Sequence, residues 1–496
     1  MQPKTLHEKI LFGLKVKQAR QRKKLSFSEL AEKTGLSISY LNEIEKGKKY
    51  PKEDKVLALA AGLGLSFEQL VSADTDQSLA PVKELLKSNF LNELPLELFG
   101  IELPKVVELI ADAPVRVSAF ISTLLDLSRN YALKEENFYF GALRAYLELN
   151  NNYFEDLENQ VLAFCQTYSI PPERPIAIPV LEAILKTAYG YQVVENGLDR
   201  YSELDGLRAV FVPSSRQLLL NSRLNTVQRS FEYGKELGFN FLQIKERAYT
   251  SSILKGKVFD EVLNHSRAIY FSVALHLPKD DIIRDMQTFF SLPRWDGAAF
   301  QAVMNKYGAT PEMFFHRLTN ILPEYFGLKK LFFLRFIHDP VQDVYSIDKE
   351  LHLYQKHHPH GNALSEHYCR RWVSVSILRD LHHMQQAGKA VSTVVAAQRS
   401  VYEGTDDQYL CFTLARPDYP SPDKNVSVTI GIHLESLSDT IRFADDPRIP
   451  QRVVNNTCER CAITDCKERS APPVVVMRKN KAKAIQKRLD ALLGDA

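Results

Sequence analysis

Residues 26–51, SFSELAEKTGLSISYLNEIEKGKKYP, constrain this chain more tightly than any other stretch. Ser26 is placed to cap a helix that begins at Phe27. Glu29, three positions on, completes a capping-box pattern in which two orphan backbone N–H groups are satisfied reciprocally. The helix stops at Thr34-Gly35, where glycine supplies the left-handed backbone that a tight turn needs. Ser37 caps a second helix running to Lys46, and Gly47 ends it. Ala31, Leu41 and Ile44 are spaced to lock the two helices at a fixed angle, which leaves Ser37, Ser39, Tyr40, Asn42 and Glu43 on or near the outward face of the second. The flanks extend the pattern. Ile10, Leu14 and Ala19 mark an amphipathic helix over 9–22, Pro51 allows a fourth helix over 52–63, and Ser66 caps a fifth to Val71. The expectation is an all-α helix-turn-helix module over residues 1–72.

Charge points the same way. Residues 1–60 hold 14 Lys and Arg against 7 Asp and Glu, whereas the whole chain carries only +3, so the remainder is acidic on balance. Basic charge is therefore concentrated beside the outward helix face. Arg20, Arg22, Lys23, Lys24, Lys46, Lys48 and Lys49 flank that face and are candidate phosphate contacts, the kind that dominate affinity for nucleic acid. Ser37, Ser39, Tyr40 and Asn42 are candidates to meet base edges or phosphates.

A chain of 496 residues is too long for one core and should divide into three or four domains. The polar stretch SADTDQS (72–78) reads as a linker, residues 79–170 as a helical connecting region, and PPERPIAIP (171–179) as a second boundary. After it the character is mixed. YGYQVVE (189–195) and LRAVFVP (207–213) read as strands, and RQLLLNS (216–222) pairs with the second through a Pro-Ser-Ser turn. Helical patterning returns over about 224–336, and 338–450 is strand-rich. The expected fold is multidomain: the helix-turn-helix domain over 1–72, the helical region over 79–170, an α+β domain over 180–336, and a strand-rich C-terminal sensor domain over 337–496. No apolar run approaches the ~20 residues a bilayer span requires, and MQPKTLHEKI has no signal-peptide core, so a cytoplasmic protein without membrane contact is expected.

The ordered pattern of residues 26–51 resembles the lambda-repressor-like (XRE) helix-turn-helix family. That resemblance implies a regulator that binds a double-stranded DNA operator. Phe27 stands where the family usually carries Gln, so one polar DNA contact is expected to be missing. One recognition helix reads too few bases for useful specificity, so a homodimer on a pseudo-palindromic operator is expected.

The stretch VQRSFEYGKELGFNFL (227–242) resembles the metal helix of IrrE/ImmA-type peptidase domains, where an HExxH run presents two zinc-binding His and a general-base Glu. Here the aligned run is Lys235-Glu236-Leu237-Gly238-Phe239. A charged ammonium cannot ligate zinc and a phenyl ring never can. Before YFSVALHLP (270–278), where an acidic third ligand is expected, stand His265, Ser266 and Arg267. The reading is a peptidase-like scaffold without catalysis and not an enzyme, with Glu236 a structural carboxylate paired to Lys235 or a neighbouring Arg. The competing readings are an active IrrE-like metallopeptidase that cleaves a repressor, and a phage- or antitoxin-type repressor acting through protein binding.

Six cysteines in a cytosolic chain of this size argue for metal rather than disulfides. Cys458, Cys461 and Cys466 follow a C-x2-C-x4-C spacing in CERCAITDCKERSAPP (458–473), and Cys369 in HYCRRW (367–372) is the candidate fourth ligand. Tetrahedral zinc and an iron–sulfur cluster both fit four thiolates. His357, His358 and His360 read as surface histidines of a polar loop, and Cys165 and Cys411 as buried apolar residues. The C-terminal run is similar to the signature of short-chain fatty-acyl regulators, which place it after an XRE domain and an IrrE-like domain. That similarity implies a [4Fe–4S] cluster on these cysteines and an acyl-CoA ligand in the middle and C-terminal region.

Overall fold

The computed structural model describes residues 6–72, 135–251, 258–353, 366–389, 393–437 and 440–494. Most of the expected helical connecting region (79–134) and the histidines His357, His358 and His360 lie outside the described residues. The chain divides into two compact units, Met1–Ala142 with Lys257–Phe259, and Leu143–Gly256 with Asp260–Ala496.

Among the described residues the first unit opens with helices α1 (Leu6–Arg22), α2 (Phe27–Thr34), α3 (Ile38–Glu45), α4 (Glu53–Leu63) and α5 (Phe67–Val71). The capping box forms: Ser26 N–H donates to Glu29 Oε2 at 2.7 Å and Glu29 N–H donates to Ser26 Oγ at 3.2 Å. Gly35 ends α2 at φ 67°, with its N–H donating to the Ala31 carbonyl at 2.8 Å. Ser37 Oγ then accepts from Tyr40 N–H at 3.2 Å and starts α3. Phe12 and Val16 of α1, Leu30 of α2, Leu41 and Ile44 of α3, and Leu59 and Leu63 of α4 close one core. Helix α1 crosses α3 so closely that a Cβ on Gly13 would overlap the backbone oxygens of Ile44 and Glu45. Only glycine fits there.

The second unit takes up α6 (Glu135–Leu149) from Leu143 onward, followed by α7 (Glu155–Thr167) and α8 (Ile178–Tyr189). A small sheet comes next, made of β1 (Gln192–Val194), β2 (Ala209–Val212) and β3 (Gln217–Leu220). Its order is β1-β3-β2, with β2 antiparallel to β3 across the expected turn and β1 parallel to β3. Helices α9 (Thr226–Phe241), α10 (Phe259–His276), α11 (Lys279–Phe290), α12 (Gly297–Lys306) and α13 (Pro311–Tyr325) follow.

The larger sheet contains β4 (Leu331–Asp339), β5 (Val344–His352), β6 (Val394–Tyr402), β7 (Gln408–Pro417), β8 (Asn425–His433) and β9 (Gln451–Val454). Its order is β5-β4-β8-β7-β6-β9, antiparallel except for the β6–β9 pair. Side chains alternate between its faces, as the two-residue strand period demands. Phe333, Leu410, Phe412, Leu414, Val428 and Ile430 share a core with Val273, Ile282, Phe300, Phe314 and Leu318 of the helices. Phe332, Leu334, Phe336, Tyr409 and Ala415 face the other way, onto Val375, Leu378 and Leu381 of α14 (Val373–Gln386). The expected division between 336 and 337 falls inside β4, whose residues 331–336 are strand and not the end of a helical stretch. The last described element is α15 (Val474–Gly494), a helix rich in Lys and Arg. Among the described residues no helix is long and apolar enough to cross a membrane.

Candidate nucleic-acid interface and cysteine cluster

Helix α3 buries Leu41, Ile44 and Glu45 and turns its other side outward. Ser37 and Ser39 are exposed at its start, Tyr40 and Asn42 are half-buried, and Glu43 joins Lys49 in a 2.8 Å ion pair. Lys55 Nζ lies 4.7 Å and Lys49 Nζ 5.8 Å from the Tyr40 ring centroid, and burial raises the Tyr40 phenol above its usual range. Arg22 and Lys48 are exposed, and Lys46 is the half-buried C-cap of α3. Ile38, the first residue of α3, is 49% exposed on the same side. It was missed by the sequence reading, although an apolar residue directly after an N-cap serine and outside the 31/41/44 packing set was a usable signal. An apolar side chain there is suited to a thymine methyl.

Arg20 departs from its expected role as a phosphate contact. Its Nε and Nη2 donate to Glu45 Oε1 and Oε2 at 2.7 and 2.8 Å, and Nη1 donates to the Leu25 carbonyl at 3.0 Å. Its guanidinium carbon also sits 4.1 Å from the Phe27 ring centroid. A guanidinium with its fork on a buried carboxylate and its face on an aromatic ring is a tie within the domain. Phe27 thereby acquires a purpose in this fold, as the platform under Arg20.

In the second unit the run Lys235–Phe239 of α9 is closed by ion pairs. Lys235 Nζ meets Glu232 at 2.6 Å and donates to the Ser251 carbonyl at 3.2 Å. Glu236 accepts from Arg247 at 2.6 and 2.8 Å and from the Tyr191 hydroxyl at 2.9 Å. So Glu236 pairs with a neighbouring Arg, and Lys235 pairs with a different carboxylate. Arg247 lies 3.7 Å over the Phe239 ring. His265 is buried, and desolvation, with Lys235 and Lys349 adding to it, holds its imidazole well below the usual range.

The cysteine region is assembled by backbone pairing between two distant stretches. Tyr368 bridges Thr457 in antiparallel fashion, Cys369 N–H donates to the Asn456 carbonyl at 3.1 Å, and Cys458 N–H donates to the His367 carbonyl at 2.8 Å. This zipper sets Cys369 beside the C-x2-C turn. Glu459 then accepts from both the backbone N–H and Nδ1 of His367, at 3.0 and 2.7 Å. Arg469 holds the turn from within, donating to the carbonyls of Cys458 (2.7 Å), Cys461 (3.1 Å), Ile463 (2.6 Å) and Ala471 (3.3 Å). Cys369, Cys458 and Cys461 are buried and Cys466 is half-buried, all as free thiols. Burial pushes the Cys369 thiol up to about 11, Cys458 and Cys461 push it further, and backbone N–H groups of 455 and 371 oppose the rise. Cys458 Sγ accepts from Ser470 N–H at 3.4 Å. Sulfurs that receive peptide N–H donors are the donor chemistry a soft cation requires. Among the described residues, however, no group of three or more His, Cys, Asp or Glu stands in metal-holding geometry. Cys411 is buried on β7 with its thiol raised to about 12 by burial, and Cys165 is half-buried on α7.

Comparison with known proteins bears on the N-terminal module. The helix-turn-helix family model matches residues 16–70. The immunity repressor protein of Bacillus phage phi105 is 36% identical over 63 residues, which is 13% of this chain and 44% of the repressor. The chain therefore spans less than half of that relative's length. A Mycobacterium tuberculosis transcriptional regulator of known structure aligns over 67% of this chain and 94% of its own length, at 17% identity and a TM-score of 0.46. The class that fold and site define is a chain with an N-terminal helix-turn-helix domain.

Proposed function

We propose that this chain is a cytoplasmic transcriptional regulator that binds a double-stranded DNA operator as a homodimer through its first 72 residues. The observation that carries the reading is the outward side of α3, where Ser37, Ile38, Ser39 and Asn42 stand free of the domain's own core while α1 braces the helix from behind. In vitro selection with the full chain from a random duplex pool tests it. The expected product is an inverted repeat with half-sites about one helical turn, ~34 Å, apart. A pool without enriched sequence sinks the proposal, and an enriched single half-site removes the homodimer.

The second unit is read as a non-catalytic sensor. Lys235 and Phe239 offer no metal ligand, and Glu236 is committed to Arg247, which supports that reading. Cys369, Cys458, Cys461 and Cys466 would hold a [4Fe–4S] cluster, with zinc as the alternative. A cluster would supply a redox-dependent charge; zinc would supply only a cross-link. The Tyr368–Thr457 bridge, which brings Cys369 and the C-x2-C turn into neighbouring stretches, supports that reading. A short-chain acyl-CoA is the proposed small-molecule ligand. Either signal regulates only through differential affinity for the DNA-binding and released states.

A further inference from the structure

From Met477 to Leu493 every residue of α15 is exposed. Its large apolar side chains are no exception: Met477, Ile485, Leu489, Leu492 and Leu493 are 44–72% exposed. Only the start of the helix is fixed to the rest of the second unit, where Val475 N–H donates to the Glu459 carbonyl at 3.1 Å, inside the C-x2-C turn. The helix carries six cations, Arg478, Lys479, Lys481, Lys483, Lys487 and Arg488, against one acid, Asp490. Among the described residues none of the six stands in an ion pair. A helix that packs no face on its own fold and concentrates one sign of charge is built to meet something else.

The arrangement of the charges narrows what that is. At about 3.6 residues per turn, Arg478, Lys481 and Arg488 fall on the same side as Ile485, Leu489 and Leu492, while Lys479, Lys483 and Lys487 fall on the opposite side. A seam with a second copy of this chain would press Lys481 and Arg488 against like charges. A helix lying on a bilayer would have to sink the same cations beside its leucines. Both partners ask for an apolar stripe separated from the charges, and α15 has none. It has no aromatic ring either, so it offers no platform on which unpaired bases stack. A duplex groove asks for something different. It admits a helix and is walled by phosphates on both flanks, so cations on opposite sides of the helix all find partners. The six cations span about 15 Å of helix axis, a length over which a duplex presents roughly one phosphate charge per 1.7 Å.

We infer that α15 is a second DNA-contacting element, which lies against the phosphates of a duplex and adds sequence-independent affinity to that of the helix-turn-helix domain. The inference rests on the reading of the chain as a DNA-binding regulator and gives it a contact outside its first 72 residues. Phosphate contacts of this kind strengthen binding to every sequence alike and leave the choice of sequence to base-edge contacts elsewhere.

Anisotropy titrations of the full chain over a salt series, on the selected operator and on an unrelated duplex, test it. The variants are the triple Lys479→Gln/Lys481→Gln/Lys483→Gln and its charge-preserving counterpart Lys479→Arg/Lys481→Arg/Lys483→Arg. The glutamine triple is expected to lower the slope of log K against log salt by about 2 to 3 on both duplexes and to weaken both about tenfold or more, with the ratio of the two affinities unchanged. The arginine triple should keep the slope of the parent. Thermal midpoints of both should match the parent, since the substituted side chains are exposed. A parent that binds neither duplex sinks the regulator reading and this inference together. A parent that binds the operator with the same slope as the glutamine triple overturns the inference alone, as does an arginine triple that loses the slope. With equal slopes, binding to phosphatidylcholine–phosphatidylserine vesicles that the glutamine triple loses would assign α15 to an anionic bilayer. A changed oligomeric state in sedimentation velocity would assign it to a second copy of the chain.

Discussion

The Arg20 guanidinium and the Glu45 carboxylate meet in a two-pronged ion pair, at 2.7 and 2.8 Å, that joins the last turn of α1 to the last turn of α3. With the side chains only 11% and 3% exposed, the pair is shielded enough for its loss to be felt. Arg20→Ala leaves a buried carboxylate without its partner and is expected to cost about 3 kcal/mol in urea unfolding. The double variant Arg20→Met/Glu45→Leu should recover much of that, because no charge is then stranded. A folded double variant should also hold DNA within a few-fold of the parent. A loss near that of a phosphate-contact variant would return Arg20 to the interface.

Lys48 and Ile38 should fail in different ways. Lys48 is exposed just past α3, so Lys48→Ala is expected to weaken binding to all sequences alike and to reduce the slope of log K against log salt by about one. Ile38→Ala should leave that slope alone and lower the preference for thymine at one position by about 1 kcal/mol. Anisotropy titrations over a salt series, on the selected site and on single-base variants, separate the two. Identical salt slopes for Lys48→Ala and the parent would remove Lys48 from the interface.

What was legible in the sequence was what is local. Ser26, Glu29, Gly35 and Ser37 announce two helices and the turn between them because each satisfies backbone groups within four residues of itself. The Arg20–Glu45 tie was not legible, since it depends on how α1 crosses α3, and a basic residue beside a recognition helix looks like a phosphate contact. Residues 331–336 look in sequence like the end of a helical stretch, because the continuous apolar run that opens β4 carries no period to separate a strand buried on both faces from a buried helix. Tertiary pairing decides it. The approach of Cys369 to the C-x2-C turn was guessed from residue type alone, while the Tyr368–Thr457 bridge that produces it left no mark.

His276 makes the second unit sensitive to mild acid. Its ring is buried, with Nε2 at 2.7 Å from Ser230 Oγ and Nδ1 at 2.7 Å from the Ser272 carbonyl, and desolvation lowers its pKa to about 4 from an ordinary 6.5. The unfolded chain therefore takes up this proton before the folded one. The stabilisation is complete above pH about 6.5 and is lost as pH falls toward 4, at roughly 1.4 kcal/mol per pH unit and about 3 kcal/mol in all. Urea unfolding at pH 7 and pH 5 should show this loss in the parent and a shallower one in His276→Gln. Equal pH slopes for the two would assign the acid sensitivity elsewhere.

Arg469 offers a test of the cysteine region that leaves every sulfur in place. By donating to four carbonyls, it fixes the loop on which Cys458 and Cys461 stand, and glutamine cannot span the same set. Anaerobically purified parent protein is expected to carry bound iron and sulfide with broad visible absorption, or one zinc per chain if the alternative holds. Cys369→Ser and Cys458→Ser should abolish the bound metal, and Arg469→Gln should reduce it several-fold, while Cys165→Ser, on α7 and outside the cluster, retains it. Metal analysis per chain reads all four. Full metal content in Arg469→Gln would show that the thiols converge without the clamp, and a parent free of iron and zinc would leave Cys369, Cys458, Cys461 and Cys466 as a thiol cluster held by burial alone.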